Sequence, residues 1–514
     1  MQSNLYRNYV ERPAFHQQGS WGRVRRANGF VAMTIELRHI ATLVIVTLAL
    51  GLGGCARSPK SQVTQLPLSL PEQFTAQTDS SNDAMFDWLS DFGDTALQGL
   101  VKEALTANYD LKAAAARLEN AIATQRSVRS GQFPTVDATF SGSRQKNNFQ
   151  NLAGSIGTRI FNNYNLNARV AWEIDLWAKV KNRVQASIAD VEAEEATFRA
   201  TQLSLAAMAL RSWFDAVEAE LQLQLADKTL QVFEQNLMIV EASFERGLPD
   251  RALDVRLTRA NVENARSTLA QRRRQRDTAI RSLETLLGRY PSATLVVPTE
   301  LPVLTQTIPP GLPSELLHRR PDLVAAERRL AASLERVKVA KKNLIPTISL
   351  SSSSGTSSGA LRDVLDPDLL IWNIAGNVTQ PIFRGGQLLA DIRASKANRN
   401  QAMATYAQTA LAAFQEVESL LAADGFLQDQ LTATQRAAEE SVGAEELAWQ
   451  QYQRGLVDII TVLESQRRAF TARSAAITTA NTRLANRINL YLALGGDFTL
   501  AASAEAPQPV SDDE

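Results

Sequence analysis

A single cysteine in 514 residues rules out a disulfide framework, and three histidines leave little for catalysis or metal binding. His16 and His39 lie before the cysteine, Cys55, so His318 stands alone in the chain that follows it. A nucleophilic site would rest on that one imidazole, and zinc needs three or four ligands, mostly His and Cys. His318, in LLHRRPDL, therefore reads as an ordinary residue at a helix end. No glycine-rich phosphate loop of the GxxxxGK[ST] or GxGxxG type occurs. Lys plus Arg number 54 and Asp plus Glu 54, so no net charge draws the chain to nucleic acid. The expectation is a protein with no enzymatic activity, no metal, no cofactor and no nucleic-acid partner. Nor is there an apolar run as long as the roughly 20 residues a spanning helix needs.

The one apolar block, residues 40–52 (IATLVIVTLALGL), follows Arg38-His39 and Met33 and ends at Leu52-Gly53-Gly54-Cys55. A basic start, a short hydrophobic segment and small residues before a cleavage point make an export signal. The LGGC ending resembles a lipobox, at which the cysteine is acylated and becomes residue one of the mature chain. Cys55 is thus expected to carry diacylglycerol and an N-acyl chain such as palmitate, anchoring the chain to a bilayer. A stray cysteine beside an ordinary cleavage site is the alternative. Residues 1–32 have no place ahead of a signal, so translation is expected to start at Met33. Ala56, where an aspartate would retain a lipoprotein in the inner membrane, favours the outer membrane.

The sequence repeats itself. NYDLKAAAARLENAIATQRSVRSGQFPTVDATF from Asn108 matches RPDLVAAERRLAASLERVKVAKKNLIPTISL from Arg320 at an offset of 212, and Phe244-Glu-Arg-Gly-Leu248 matches Tyr452-Gln-Arg-Gly-Leu456 at 208. Two copies of one unit are expected, at 88–290 and 314–496, joined by a linker at 291–313. Between 176 and 246 there is neither Gly nor Pro, while Leu203, Ala206, Leu210, Trp213 and Val217 step by three and four. That is the seam of a coiled-coil-like helix about 105 Å long, far more than a bilayer is thick. The chain turns at ERGLPD, returns to residue 287, and repeats the hairpin from 387 to 454 and from 458 to 494. A generic long rod would show the same seams.

Four segments have period two instead. Leu166, Ala168, Val170, Trp172 and Ile174 alternate with Asn167, Arg169, Ala171, Glu173 and Asp175, and Val136, Ala138 and Phe140 alternate with polar neighbours. Strands are expected at about 133–143, 165–176, 345–353 and 372–383. A soluble sandwich would alternate likewise, but strands beside a lipid anchor suit a membrane barrel. Four strands cannot close one, and open edges cannot sit in hydrocarbon. Three chains supply twelve strands and leave a lumen, so a homotrimer with a shared 12-stranded β-barrel and a long α-helical tunnel is the expected fold.

The order of lipobox, FGDTALQGLVKEALTANYDL, AWEIDLWAKVKNRVQAS, RRPDLVAAERRL, LIPTISL, PIFRGGQLLADIRAS and YQRGLVDIITVLESQRR closely resembles the outer membrane efflux protein family, in its lipoprotein branch of the TolC and OprM kind. The resemblance covers about residues 60–498. It implies a trimeric channel-tunnel, the passive exit duct of a tripartite pump for drugs or other small toxic compounds. Its implied partners are a periplasmic adaptor, an inner-membrane transporter of the proton-driven RND type, and outer-membrane lipid. By the same resemblance Arg246-Gly247-Leu248 and Arg454-Gly455-Leu456 are helix tips that meet the adaptor, although a reversing helix needs a glycine in any case. Glu464 stands where family members tend to carry a gate aspartate, with Thr461 at a position acidic in some. Three copies would form a carboxylate ring; a merely solvated charge is the alternative. Residues 55–87 are expected to be a lipidated linker and 497–514 a disordered acidic tail. A lipid-anchored periplasmic spacer or a secretion accessory protein remains the competing reading.

Overall fold

The computed structural model describes residues 57–62, 71, 73–75, 92, 96–150, 156–246, 252–304 and 313–496. Cys55, the export signal, residues 1–32, Gly247, Leu248 and the acidic tail lie outside the described residues. The first half of the chain runs α1 (Ala96–Ala107), α2 (Tyr109–Ser130), β1 (Thr135–Gln150), β2 (Ile156–Ile174), α3 (Lys179–Glu245) and α4 (Ala252–Leu286). The second runs α5 (Pro313–Arg319), α6 (Pro321–Lys342), β3 (Thr347–Ser358), β4 (Leu370–Thr379), α7 (Gln387–Gln453) and α8 (Ile459–Ala493). The element order repeats, and so do the lengths: α2 and α6 have 22 residues, α3 and α7 have 67, and α4 and α8 have 35.

At 1.5 Å per residue α3 and α7 are each about 100 Å long. None of the described helices is long and apolar enough to cross a membrane. The seam Leu203, Ala206, Leu210, Trp213 and Val217 is buried throughout. Around it converge Leu97 and Val101 of α1, Ile280 and Leu283 of α4, Leu484 and Ile488 of α8, and Val297 and Leu304 of the linker. Alanines bring α3 against α6, where Ala189 meets Ala331 and Ala332. Small side chains allow that close approach of two long helices.

Local chemistry fixes the joints. Asn108 caps α2, its carboxamide oxygen accepting from the Asp110 and Leu111 backbone N–H at 2.8 and 3.1 Å, while its Nδ2 donates to the Leu286 carbonyl at the end of α4. The linker is pinned by Glu284, a buried carboxylate that accepts from the backbone N–H of Ala293, Thr294 and Leu295 at 2.7, 2.9 and 3.1 Å. Desolvation pushes this carboxyl upward, but those three N–H groups outweigh it and hold its pKa below the ordinary value. Segment 57–62 packs on α6, where the Gln62 N–H donates to the Glu327 carboxylate and the Arg328 guanidinium donates to the Pro59 carbonyl at 3.1 Å.

The strands form one antiparallel sheet in the order β1-β2-β3-β4. β1 and β2 are longer than the alternation predicts and continue into the polar stretch after Phe140, where the backbone ladder runs on to Gln150 opposite Ile156. Backbone pairing needs no apolar face, so hydropathy alone understates their length. β4 ends at Thr379, short of the expected 383, because Pro381 has no N–H for the ladder. Gly355 sits where a Cβ would come within 2.1 Å of the Leu166 carbonyl oxygen, so β3 can approach β2 only without a side chain there.

Candidate functional site: the amphipathic sheet and the hairpin tips

In an antiparallel ladder, directly opposed residues share a face. The register therefore places Val136, Ala138 and Phe140 of β1 with Val170, Ala168 and Leu166 of β2. The same face continues through Trp172 and Ile174 to Leu350 and Ile348, and on to Ile374, Trp372 and Val378 of β4. The opposite face carries Asp137, Thr139, Ser141, Asn165, Asn167, Arg169, Ser349, Ser351, Ser353, Asn373 and Asn377, with Phe161 and Ile371 as exceptions. Val136, Phe140, Trp372, Ile374 and Val378 all lie exposed in the single chain. β1 and β4 are the outer strands, and neither has a further partner among the described residues. One face thus suits hydrocarbon and the other water, and the outer edges of β1 and β4 carry backbone groups that no described strand pairs.

At the other end of the long helices the two hairpins meet. Val240 of α3, Val255 of α4, Ala448 and Tyr452 of α7, and Ile459 and Val462 of α8 make a small core. Tyr452, stacked on Trp449, donates its hydroxyl to Asp254 at 2.9 Å and so ties the second hairpin to the first. α7 then ends in a Schellman turn. The Leu456 N–H donates to the Gln451 carbonyl and the Gly455 N–H to that of Tyr452, both at 2.9 Å, with Gly455 at φ 76°. Glycine pays no penalty at that angle. Arg454 is the C-cap, and Leu456 projects into solvent, 69% exposed.

In the first hairpin Arg246 caps α3 and is exposed; its neighbours Gly247 and Leu248 are outside the described residues. A shallow open groove beside it is lined by Gln235, Met238, Ile239, Ala242, Ser243 and Arg246. With Phe244, Leu253 and Ile460 also exposed, this end carries more unpartnered apolar surface than a solvated turn needs. The sequence reading singles out the two RGL turns but not this apolar surround, whose groove is a single face of α3 at helical spacing, with Leu253 of α4 and Ile460 of α8 adding exposed apolar surface at the same end.

Asp458 caps α8 and accepts from both the backbone N–H and the hydroxyl of Thr461, at 2.8 and 2.6 Å. Those bonds lower the Asp458 pKa and commit Thr461 to the cap. Glu464, one turn on, is not a bare carboxylate. It accepts from Arg467 at 2.7 and 3.0 Å and from Arg468 at 2.9 Å, which together hold its pKa down at about 2. One carboxylate with two guanidiniums leaves a positive charge in excess. The signal for this was present in ESQRR, at the i,i+3 and i,i+4 spacings of helical ion pairs. His318 lies exposed in the last turn of α5, away from both ends described here. Among the described residues no group of three or more His, Cys, Asp or Glu is placed to hold a metal.

Comparison with known proteins decides the family. The profile described as outer membrane efflux protein matches twice, at residues 100–289 and 312–496. The chain belongs to the outer membrane efflux protein family. It is 32% identical over 473 residues to the probable efflux pump outer membrane protein TtgC of Pseudomonas putida, covering 91% of this chain and 96% of that one. It is 30% identical over 456 residues to the cation efflux system protein CusC of Escherichia coli, covering 87% and 97%. Among solved structures, the outer-membrane channel OprN superposes with a TM-score of 0.77 at 29% identity, over 86% of this chain and 99% of that one. The Campylobacter jejuni CmeC outer membrane channel gives 0.78 at 25% identity, over 86% and 95%. The outer-membrane efflux channel expected from the motifs is thereby established, along with a mostly helical fold carrying a small antiparallel sheet.

Proposed function

We propose that this channel is the passive exit duct of a tripartite pump, a homotrimer whose twelve strands close one β-barrel in the outer membrane while the long helices form a periplasmic tunnel. The observation that carries the reading is the sheet: one apolar face, one polar face and two unpaired edges, at the end of helices too polar to enter a bilayer. Closure between copies satisfies both edges, and three copies leave a lumen where two would fill it with side chains. α7 supports the same assembly, since about half of its residues, including Leu389, Leu411 and Phe426, are exposed in one chain. The matching element lengths and the doubled profile match support an ancestral duplication.

The tip surface around Arg246 and Arg454-Gly455-Leu456 fits docking of a periplasmic adaptor, with Gly247 and Leu248 completing the first turn. The adaptor in turn would join an inner-membrane transporter of the RND type. Glu464 with Arg467 and Arg468 is the gate candidate, a paired rather than bare constriction. Cys55 carries the lipid, and the docking of Ser58 to Gln62 on Glu327 and Arg328 ties the chain that follows it to the body. The curated names of relatives range from toluene to cations, so cargo is set by the inner-membrane partner. The experiment is the mass of the detergent-solubilised chain by light scattering. A trimer supports the reading, and a stable monomer overturns it in favour of a lipid-anchored spacer. Cys55→Ser should abolish acyl labelling without changing the trimer.

A further inference from the structure

The apolar face of the sheet ends in two cations. Above Phe140 the same face of β1 continues through Gly142, Arg144 and Lys146, opposite Tyr164, Asn162 and Ile160. Arg144 and Lys146 are both exposed. Among the described residues neither meets a carboxylate, and the connecting residues 151–155, NLAGS, contain none. Tyr164 lies across Gly142, where a Cβ would come within 3.0 Å of its ring. From Ile174 at the inner end of this face to Tyr164 is ten residues of β2. At about 3.3 Å per residue and a tilt near 40° that is about 25 Å along the membrane normal, the height of the apolar band of a membrane barrel. Trp172 and Tyr164 then stand at its inner and outer margins, where aromatic girdles belong. Arg144 and Lys146 fall about 5 and 10 Å beyond the outer margin, on the lipid side rather than in the lumen. A lysine or arginine facing lipid is costly at the bilayer centre but favourable at an anionic headgroup. By contrast Arg159 is on the lumen face, its guanidinium over the Phe161 ring at 5.1 Å.

We propose that Arg144 and Lys146 form a binding site for the phosphate groups of outer-leaflet lipid, a site that rests on the shared-barrel reading. Two cations of different reach, two residues apart on one strand face, match a headgroup bearing more than one phosphate. Phe140 and Tyr164, at the outer margin of the band, supply the adjoining apolar contact for its acyl chains.

The test uses the full-length protein in zwitterionic nanodiscs, titrated with fluorescent bisphosphorylated lipid A. The Arg144→Gln/Lys146→Gln variant should bind about thirtyfold more weakly, on the usual contribution of each cation near an anionic surface. Dephosphorylated lipid A should bind the parent as weakly as it binds that variant, and Arg159→Gln should bind like the parent. Inorganic phosphate at matched concentration should not compete. Parent-like affinity in the double variant would overturn the proposal, as would competition by free phosphate or an equal loss in Arg159→Gln. Failure of the parent to insert and conduct would overturn the barrel together with the site. Insertion and conduction with unchanged lipid affinity in the double variant would remove the site alone.

Discussion

Glu284 and Glu464 are both ionised, for opposite reasons. Glu284 is buried and kept charged by three backbone N–H groups, so removing its carboxylate strands those donors. Glu284→Ala should destabilise the chain by about 3 kcal/mol, read as a lowered thermal midpoint in detergent. Its folded pKa lies below the ordinary 4.5, so its stabilisation is complete above that value and is lost as pH falls through the lowered folded value. A thermal midpoint insensitive to Glu284→Ala would contradict this. Glu464 is on the surface, and its charge is held by Arg467 and Arg468. With a pKa of about 2, it should leave the reversal potential of the channel flat from neutral pH to roughly pH 4. Arg467→Ala/Arg468→Ala should bring a titration back near the ordinary carboxylate value. The pairing of Glu464 could be read from ESQRR, since its partners are three and four residues away, but the sequence reading expected a carboxylate ring or a solvated charge. The pairing of Glu284 could not be read, since nothing in the sequence indicates that the linker folds back onto it.

At the scale of elements, α3, α4 and α8 are read almost to the residue from their Gly- and Pro-free runs, while α7, which carries Gly425 and Gly443, is read from its repeat of α3. Three of the four long helices hold no Gly or Pro at all, and the glycines of α7 cost it propensity without ending it. The strands are less legible, since β1 leaves its apolar alternation at Phe140 and continues as a backbone ladder through Arg144, Lys146 and Asn148. The tip is legible only in part: Gly455 marks the turn, but the bond from Tyr452 to Asp254 joins residues 198 apart in the chain. Tyr452→Phe should cost about 1–2 kcal/mol and loosen the second hairpin from the first. Faster protease cleavage at the tips, with the sheet end unchanged, is the expected readout; unchanged cleavage would show that the apolar core of Val240, Val255, Ile459 and Val462 holds the tips without that bond.

At the scale of the whole molecule, the proposed closed assembly answers what one chain leaves exposed. Among the described residues its sheet has an apolar face with no cover and two edges with no neighbour, and α7 leaves about half of its residues exposed. A lone chain would have to solvate Val136, Phe140, Trp372 and Val378 together, which is the surface of an aggregate rather than of a monomer. Val170→Asp, a charge on the lipid side, should sharply reduce insertion, whereas Asn167→Asp on the lumen side should be tolerated and shift ion preference. Fractionation of membranes carrying each variant separates the two. Single-channel conductance of the purified protein in a planar bilayer separates an open duct from a lipid-anchored spacer. A trimer is expected to give discrete currents, and Glu464→Ala to enlarge them at the proposed constriction. A trimer or monomer that gives no current under any gate substitution would contradict the duct.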